Sequence, residues 1–202
     1  MSEAVNRLSG WIDYDRPCLS ALAPLDRIDY FELRIRLVLL RPLERIVNNE
    51  LVGQEKSSAL LIFAVSLCCA IEATGKFLTG GKKGITRGDR FKKFIRTYMN
   101  PAFYTTELNG VFYGDILWTS FRNGLAHGFA VCHGGFESNQ GKYFEIQNHP
   151  GYACLMINPK LLYEDYSDGF EKYLKDLRSA TTTDELFIDF DHVFTDVFID
   201  GN

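Results

Sequence analysis

The sequence predicts a mainly α-helical fold that carries a small antiparallel sheet. Two observations lead to this prediction: apolar residues recur at helical spacing over most of the chain, and a stretch after Gly128 changes to short aromatic or β-branched runs separated by Gly-containing turns. The 202 residues are 46% hydrophobic and 24% charged. This composition is typical of one globular domain and excludes a disordered, collagen-like or coiled-coil chain.

The first half of the chain predicts an arm followed by two long helices. Residues 1–29 have no sustained period, and we expect them to form an N-terminal arm that packs on the body. The pattern is helical from Tyr30 to about Asn49, where Pro42 should kink or restart the helix. The segment from about Gln54 to Leu78 is apolar nearly all round, so it should be the most buried helix. Gly80 and Gly81 should end it.

Two more helices are predicted before the sheet. A short one covers Asp89–Met99, and another runs from about Thr106 to His127. Together with the earlier helices they make residues 30–128 a predominantly helical region.

Residues 129–202 are expected to belong to the same domain. They begin with a small antiparallel β meander over three short runs, Phe129–Glu137, Lys142–Gln147 and Tyr152–Ile157. Turn signals stand at Gly134-Gly135, Gln140-Gly141 and Pro150-Gly151. The helical period then returns for two C-terminal helices, through Leu162–Leu177 and Phe187–Val197.

Apolar length and the N-terminal residues favour a cytoplasmic protein without a membrane span. The longest apolar run, Ala59–Ile71, is interrupted by Ser66 and is shorter than the about 20 residues that a bilayer requires. The first seven residues lack the pattern of a signal peptide.

Charge is unevenly distributed along the chain. The net charge of −4 disfavours a protein that coats nucleic acid by bulk electrostatics. A basic segment between residues 82 and 96 nevertheless carries seven cations, whereas residues 184–200 are acidic. These segments are either opposite charged ends of the molecule, with the basic one binding RNA, or ordinary solvated helix faces. The seven cations are Lys82, Lys83, Arg87, Arg90, Lys92, Lys93 and Arg96.

The cysteines do not indicate a metal site. Cys68 and Cys69 lie in the most apolar segment and are expected to be small core residues. A zinc set can be drawn from Cys132-His133 with His149 and Cys154, but its spacing does not match that of structural zinc sites. We therefore expect neither a metal nor another cofactor.

One constellation could carry chemistry. Arg122-Asn123-Gly124-Leu125-Ala126-His127 combines a permanent cation, an amide and a titratable imidazole. Arginine binds phosphate oxygens through a planar fork, and histidine moves protons near neutral pH. These groups suit metal-free RNA cleavage, in which a base deprotonates the 2′-hydroxyl and an acid protonates the leaving 5′-oxygen.

The spacing constrains this reading. Residues five apart lie about 140° from each other on a regular helix, so Arg122 and His127 point at one spot only if the helix ends between them, which Gly124 permits. One chain also supplies one imidazole where the reaction uses an acid and a base. Two copies across a two-fold axis would provide both.

The segment Tyr113–Gly128, with its Arg122-x4-His127 motif, resembles the characteristic helix of HEPN domains. The run Leu60–Gly80, which contains Ala70-Ile71-Glu72-Ala73-Thr74, is similar to the buried HEPN helix that bears an acidic residue near the site. The resemblance covers roughly residues 30–130. The acidic total charge and the extra C-terminal part depart from the family pattern.

The resemblance implies that residues 30–128 form a HEPN-like bundle of four to five helices. It also implies a homodimeric, metal-independent endoribonuclease that acts as a toxin or in phage defence, with RNA and a cognate antitoxin as partners. Arg122 and His127 would be the catalytic pair, Asn123 would orient or bind phosphate, and Glu72 would brace Arg122. Two alternatives stay open. The domain is a non-catalytic module that binds nucleotides, RNA or protein, or Arg122 pairs structurally with Glu72 or Asp115 while His127 caps the helix. Glu72 could equally pair with Lys76, four residues on.

Overall fold

The computed structural model describes residues 19–50, 56–124, 134–136 and 141–201, which form a mainly helical fold with two small sheets. Residues 1–18 of the expected N-terminal arm lie outside the described residues. The helices are α1 (Pro24–Ile35), α2 (Arg41–Arg45), α3 (Lys56–Leu78), α4 (Arg87–Tyr98), α5 (Ala102–Thr105), α6 (Tyr113–Ile116), α7 (Pro159–Ser179) and α8 (Glu185–Phe194). Four π-helical segments extend them: Arg36–Leu40, Ile46–Glu50, Leu117–Asn123 and Thr195–Asp200.

The first helical segment begins earlier than expected and passes through Pro42. It runs from Pro24 to Glu50, with π-helical turns on both sides of α2. Just before the proline, the Arg41 N–H bonds to the Arg36 carbonyl five residues back, and the backbone stays in the right-handed helical region. Pro42 thus changes the hydrogen-bond pattern of the helix without breaking it, because a proline at the start of an α-helical turn needs no N–H partner.

Helix α3 lies in the core, as its composition predicts. Phe63, Leu67 and Ile71 are fully buried, and the helix ends at Gly80 and Gly81, both with positive φ. It packs against α4, α7 and α8. The expectation that both adjacent cysteines are core residues is wrong in one case: Cys68 is buried, but Cys69 is exposed because it lies on the outer face of this helix.

Close contact between α3 and α4 depends on a glycine. A Cβ on Gly75 would lie 2.2 Å from the Arg90 carbonyl oxygen, so only a residue without a side chain lets the two backbones approach this far. Helix α4 begins at a capping box in which the Thr86 hydroxyl accepts from the Asp89 N–H and the Asp89 carboxylate accepts from the Thr86 N–H.

Helix α3 is long and apolar enough to cross a membrane by length and composition. Residues Ala59–Leu78 have a mean hydropathy of 1.7 over 20 residues. The helix is therefore long enough for a membrane span, although its uninterrupted apolar run is not. Half of this segment is buried inside the protein, against the other helices. A helix of this length and composition also occurs in the core of folded domains.

The helix predicted over Thr106–His127 begins later than expected. Its first residues form a β-hairpin, β1 (Glu107–Leu108) and β2 (Val111–Phe112). The turn between the strands is Asn109-Gly110, both with positive φ, which is the conformation of a type I′ turn. The helix starts at Tyr113 and is still helical at Gly124, and the residues from there to His127 lie outside the described ones.

The predicted meander is a mixed sheet. Strands β4 (Phe144–His149) and β5 (Tyr152–Ile157) form an antiparallel hairpin, but β3 (Gly134–Phe136) pairs parallel with β5, which gives the order β3-β5-β4. Gly134 and Gly135 are strand residues instead of a turn. A Cβ on Gly134 would lie 2.6 Å from the Phe121 ring, so the glycine admits this ring against the sheet.

An aromatic cluster joins the N-terminal and C-terminal helices. Phe31 of α1 contacts Phe77 of α3 at a ring-centroid distance of 4.4 Å, Phe170 of α7 at 5.8 Å and Phe190 of α8 at 5.5 Å. The two predicted C-terminal helices are therefore confirmed, as α7 and α8, and they complete the core in which α3 lies.

Candidate functional site

The predicted site residues Glu72 and Arg122 meet between α3 and the π-helical segment after α6. One carboxylate oxygen of Glu72, Oε2, accepts from Arg122 Nε at 2.9 Å and from Nη2 at 2.7 Å. Both side chains are largely buried, with 17% of Glu72 and 12% of Arg122 exposed. Glu72 does not pair with Lys76, because the Lys76 ammonium lies 2.8 Å from Asp196 of the C-terminal π-helical segment.

Two neighbours fix the Arg122 side chain further. Its Nη1 donates to the Asn123 side-chain oxygen at 3.4 Å. Its guanidinium carbon lies 5.2 Å from the centroid of the Trp118 ring, a cation–π distance. Trp118 was not among the predicted site residues, although it precedes Arg122 by four residues and so falls on the same helix face.

A second arginine reaches the same carboxylate. Arg87, at the start of α4, lies 3.6 Å from Glu72 Oε1 through its Nε, and 72% of its side chain is exposed. Glu72 is therefore shared between Arg122 and Arg87, and the three groups carry one net positive charge. The exposed Arg87 has the freedom to contact an anion that approaches Arg122.

Arg122 has donors to spare for an anion. A guanidinium carries five N–H groups. Among the described residues, Glu72 accepts two of them and Asn123 one, which leaves two for an oxygen of an incoming group. Asp115, the alternative partner considered for Arg122, instead pairs with Lys92 of α4.

The remaining member of the motif, His127, lies outside the described residues. Up to Gly124 the helix is π-helical, and the Gly124 N–H bonds to the Thr119 carbonyl five residues back. This winding places residues five apart on nearly the same face, whereas a regular α-helix separates them widely.

The basic segment is partly neutralised by residues distant in sequence. Lys82 lies 2.8 Å from both Glu185 and Asp189 of α8. Two acidic residues of the C-terminal part therefore pack against one lysine of the basic segment, so the two segments meet at this point. Neither sequence spacing nor composition gives a signal for this contact, because it joins residues about 100 positions apart through tertiary packing.

Other members of the segment differ in accessibility. Arg90 is half-buried, and its Nη2 donates to the Gly81 carbonyl at 3.5 Å. Lys83, Lys93 and Arg96 are exposed, and within the part of the chain that the structure describes they have no ion-pair partner. These three cations and Arg87 are the members that remain open to an anionic ligand.

The thiols beside the site are unsuited to nucleophilic or metal chemistry. Burial raises the pKa of Cys68 well above its usual range. Partial desolvation of the thiol also raises the pKa of Cys69, which lies one turn before Glu72, against the opposing effect of Arg122. Both thiols are therefore protonated at neutral pH, and the reactive form of cysteine is the thiolate.

The structure describes two of the four residues of the zinc set that the sequence spacing disfavours. Cys132 and His133 lie outside the described residues, and His149 and Cys154 belong to the β4–β5 hairpin. Over residues 19–50, 56–124, 134–136 and 141–201, no group of three or more His, Cys, Asp or Glu side chains is arranged to hold a metal ion.

A separate buried polar cluster joins the sheet to the helices. Asp165 of α7 accepts from the Tyr143 hydroxyl at 2.8 Å and from the Asn100 N–H at 3.0 Å. Burial raises the pKa of Asp165 and that of Tyr143. The two side chains hydrogen-bond to each other, so the role of this cluster is to hold the sheet against the helices.

Comparisons of the chain with models of protein families, with curated proteins and with solved structures found no match.

Proposed function

We propose that the protein is a metal-independent endoribonuclease of the HEPN type, with Arg122 and His127 as its catalytic pair. The observation that supports this proposal best is the position of Arg122. Glu72 reaches it from helix α3 and fixes one side of its guanidinium, and among the described residues two of its five N–H groups have no acceptor. A fixed cation with free donors is what stabilises the charge that develops on a phosphate in the transition state.

The proposed reaction is a transesterification. The imidazole of His127 takes the proton of a ribose 2′-hydroxyl, whose oxygen attacks the adjacent phosphorus. The bond from phosphorus to the 5′-oxygen breaks, a second acid protonates that oxygen, and a 2′,3′-cyclic phosphate remains. Arg122 neutralises the additional charge on the phosphate oxygens. In this proposal the second acid is His127 of a second copy, so the active species is a two-fold homodimer.

The proposal includes a toxin or phage-defence role with a cognate antitoxin. It also includes a cytoplasmic location without membrane association. They derive from the resemblance of the motif helix and of the helix that carries Glu72. Half of α3 is buried in the protein, which supports the absence of a membrane role.

A non-catalytic binding module is the second candidate. The observation in its favour is the same ion pair, because Glu72 already compensates the charge of Arg122 and a purely structural arginine would also be held this way. A binding module predicts affinity for RNA without turnover. The two candidates therefore differ in one measurement, the cleavage of RNA.

The test is gel analysis of labelled single-stranded RNA and the matching DNA, with wild-type protein, His127→Ala and the control His149→Ala. His149 is an exposed histidine on the β4–β5 hairpin. We expect wild type and the control to cut RNA with and without EDTA, DNA to stay intact because it lacks the 2′-hydroxyl, and His127→Ala to be inactive.

Three results would contradict the proposal. Equal cutting by wild type and His127→Ala would indicate a contaminating nuclease. Cutting that disappears with EDTA would refute the metal-free mechanism. A monomeric mass by light scattering for a protein that cuts RNA would refute the composite site.

A further inference from the structure

A charged groove of about 650 Å³ opens between the loop after α3, helix α4 and the first turn of α8. Lys82 lies on one wall, Lys93 and Arg96 lie on the wall formed by α4, and Glu185 and Asp189 come from α8. Apolar side chains, Leu78, Ile85 and Leu186, also line it. The lining holds four cations, Lys82, Lys92, Lys93 and Arg96, against three carboxylates, Asp89, Glu185 and Asp189. The cations suit the phosphate backbone of a single nucleic-acid strand.

The two acidic residues that hold Lys82 differ in burial. Asp189 is 7% exposed as a residue, and its carboxylate contacts Lys82 at 2.8 Å and lies close against Gly80. This contact fixes the loop after α3. Glu185 contacts Lys82 at the same distance, but 82% of its side chain is exposed. Glu185 is thus free to leave Lys82 while Asp189 keeps the lysine in place.

Glu185 is also close enough to the opposite wall to be affected by it. The hydrogen bond from Lys82 lowers the pKa of the Glu185 carboxyl, and Lys93 acts in the same direction. The carboxylate is therefore an anion surrounded by cations of the groove. The same surroundings would favour the negative charge of a phosphodiester.

We propose that Glu185 is a charge gate of this groove: its carboxylate occupies, beside Lys82, the position that a backbone phosphate of single-stranded RNA takes when the strand binds. The proposal rests on the proposed function for the identity of the ligand. On binding, the carboxylate leaves Lys82 and turns to solvent, and the phosphate replaces it next to Lys82 and Lys93. The gate weakens binding of short or weakly held strands.

The test measures binding without cleavage. The probe is a fluorescein-labelled, 2′-O-methylated oligonucleotide of about ten residues, within the range that such grooves cover. The methyl group removes the nucleophile, so binding is read by fluorescence anisotropy whether or not the protein is a nuclease. The variant is Glu185→Gln, and the matched control is Glu171→Gln, which removes the same charge from an exposed ion pair with Arg36.

We expect Glu185→Gln to lower Kd about two- to fivefold at about 50 mM salt, the effect of an exposed ion pair, and the gain to shrink at about 200 mM. Glu171→Gln should bind like wild type. In the Lys82→Gln background the gain from Glu185→Gln should be smaller, because the carboxylate no longer blocks a lysine there.

Two outcomes would overturn the gate. Equal gains from Glu185→Gln and Glu171→Gln would show an effect of net charge alone. An unchanged Kd for Glu185→Gln, or no binding by either protein at low salt, would show that the groove does not take the strand. Failure of the proposed ribonuclease function would show separately, as no RNA cleavage by wild type or as equal cleavage by wild type and His127→Ala, and would not alter the anisotropy result.

Discussion

Replacement of Glu72 by glutamine tests the support of Arg122. The substitution keeps the size of the side chain and removes its charge. In the structure, Oε2 of Glu72 accepts two hydrogen bonds from Arg122, at 2.9 Å and 2.7 Å, with both residues largely buried. A hydrogen bond to a charged group contributes about 1.5–3 kcal/mol, and the amide oxygen of glutamine still accepts one. We therefore expect Glu72→Gln to reduce the free energy of unfolding by about 2 kcal/mol.

Calorimetry measures this loss directly. For a chain of this size, about 2 kcal/mol corresponds to a fall in Tm of about 4–8 °C. The control Glu171→Gln breaks an exposed pair with Arg36 and should change stability by less than about 1 kcal/mol. If Glu72→Gln melts like wild type, the pair does not stabilise the fold, and the geometric reasoning about Arg122 fails.

A kinetic measurement separates positioning from structure. If Glu72 positions Arg122 for the reaction, Glu72→Gln should lower kcat about tenfold at a temperature where the variant is fully folded, a loss of about 1.4 kcal/mol in transition-state stabilisation. The losses from Glu72→Gln and Arg122→Lys should then not add, because they disturb one interaction. A lower Tm with unchanged kcat would assign Glu72 a purely structural role.

Three further predictions concern packing, pH and salt. Gly75→Ala should lower the unfolding free energy by about 1–3 kcal/mol in urea titrations, since the new methyl would overlap the backbone of α4; a neutral result would refute the close approach. Burial raises the pKa of Asp165, so the folded protein holds this proton more tightly than the unfolded chain and loses stability as pH rises from the ordinary value of 3.8 through the raised one; Asp165→Asn should remove this pH dependence of Tm, and an unchanged dependence would contradict the burial argument. Lys83→Glu with Lys93→Glu should weaken RNA binding and reduce the slope of log Kd against log salt by about 0.7 per lost contact; an unchanged slope would mark both as plain surface residues.

The long helices could be predicted because their signals are local. In α3 and α7 the apolar spacing persists over several turns, and glycine or capping residues mark the ends, as Gly80 does for α3 and Asn158 for α7. The aromatic cluster around Phe31 could not be predicted, since which helix faces meet is decided by packing between distant segments.

The errors in the sheet and hairpin have one physical origin. Asn109-Gly110 is a strong turn signal, but the residues that follow it repeat at helical spacing. The predicted helix therefore includes the turn, which in the structure precedes the helix. Gly134 and Gly135 have the composition of a turn, but they serve as strand residues because Phe121 and Met156 occupy the space of their missing side chains. Local composition cannot distinguish a glycine that forms a turn from a strand glycine that leaves room for a neighbouring side chain.

At the candidate site, too, some contacts could be predicted from the sequence and others depend on tertiary packing. The contact of Glu72 with Arg122 was expected from the resemblance, and Asn123 follows Arg122 in sequence. The position of Glu185 against Lys82 depends on how α8 folds back, so no local pattern predicts it.

The burial of α3 has a consequence for biosynthesis. The helix leaves the ribosome about 100 residues before α8, one of the elements that cover it, has been translated. At about 5–20 residues per second, an apolar segment able to pass for a membrane anchor stays incompletely covered for several seconds. During this interval the nascent chain is a substrate for chaperones, and a protein truncated before α7 would expose the same surface permanently and aggregate.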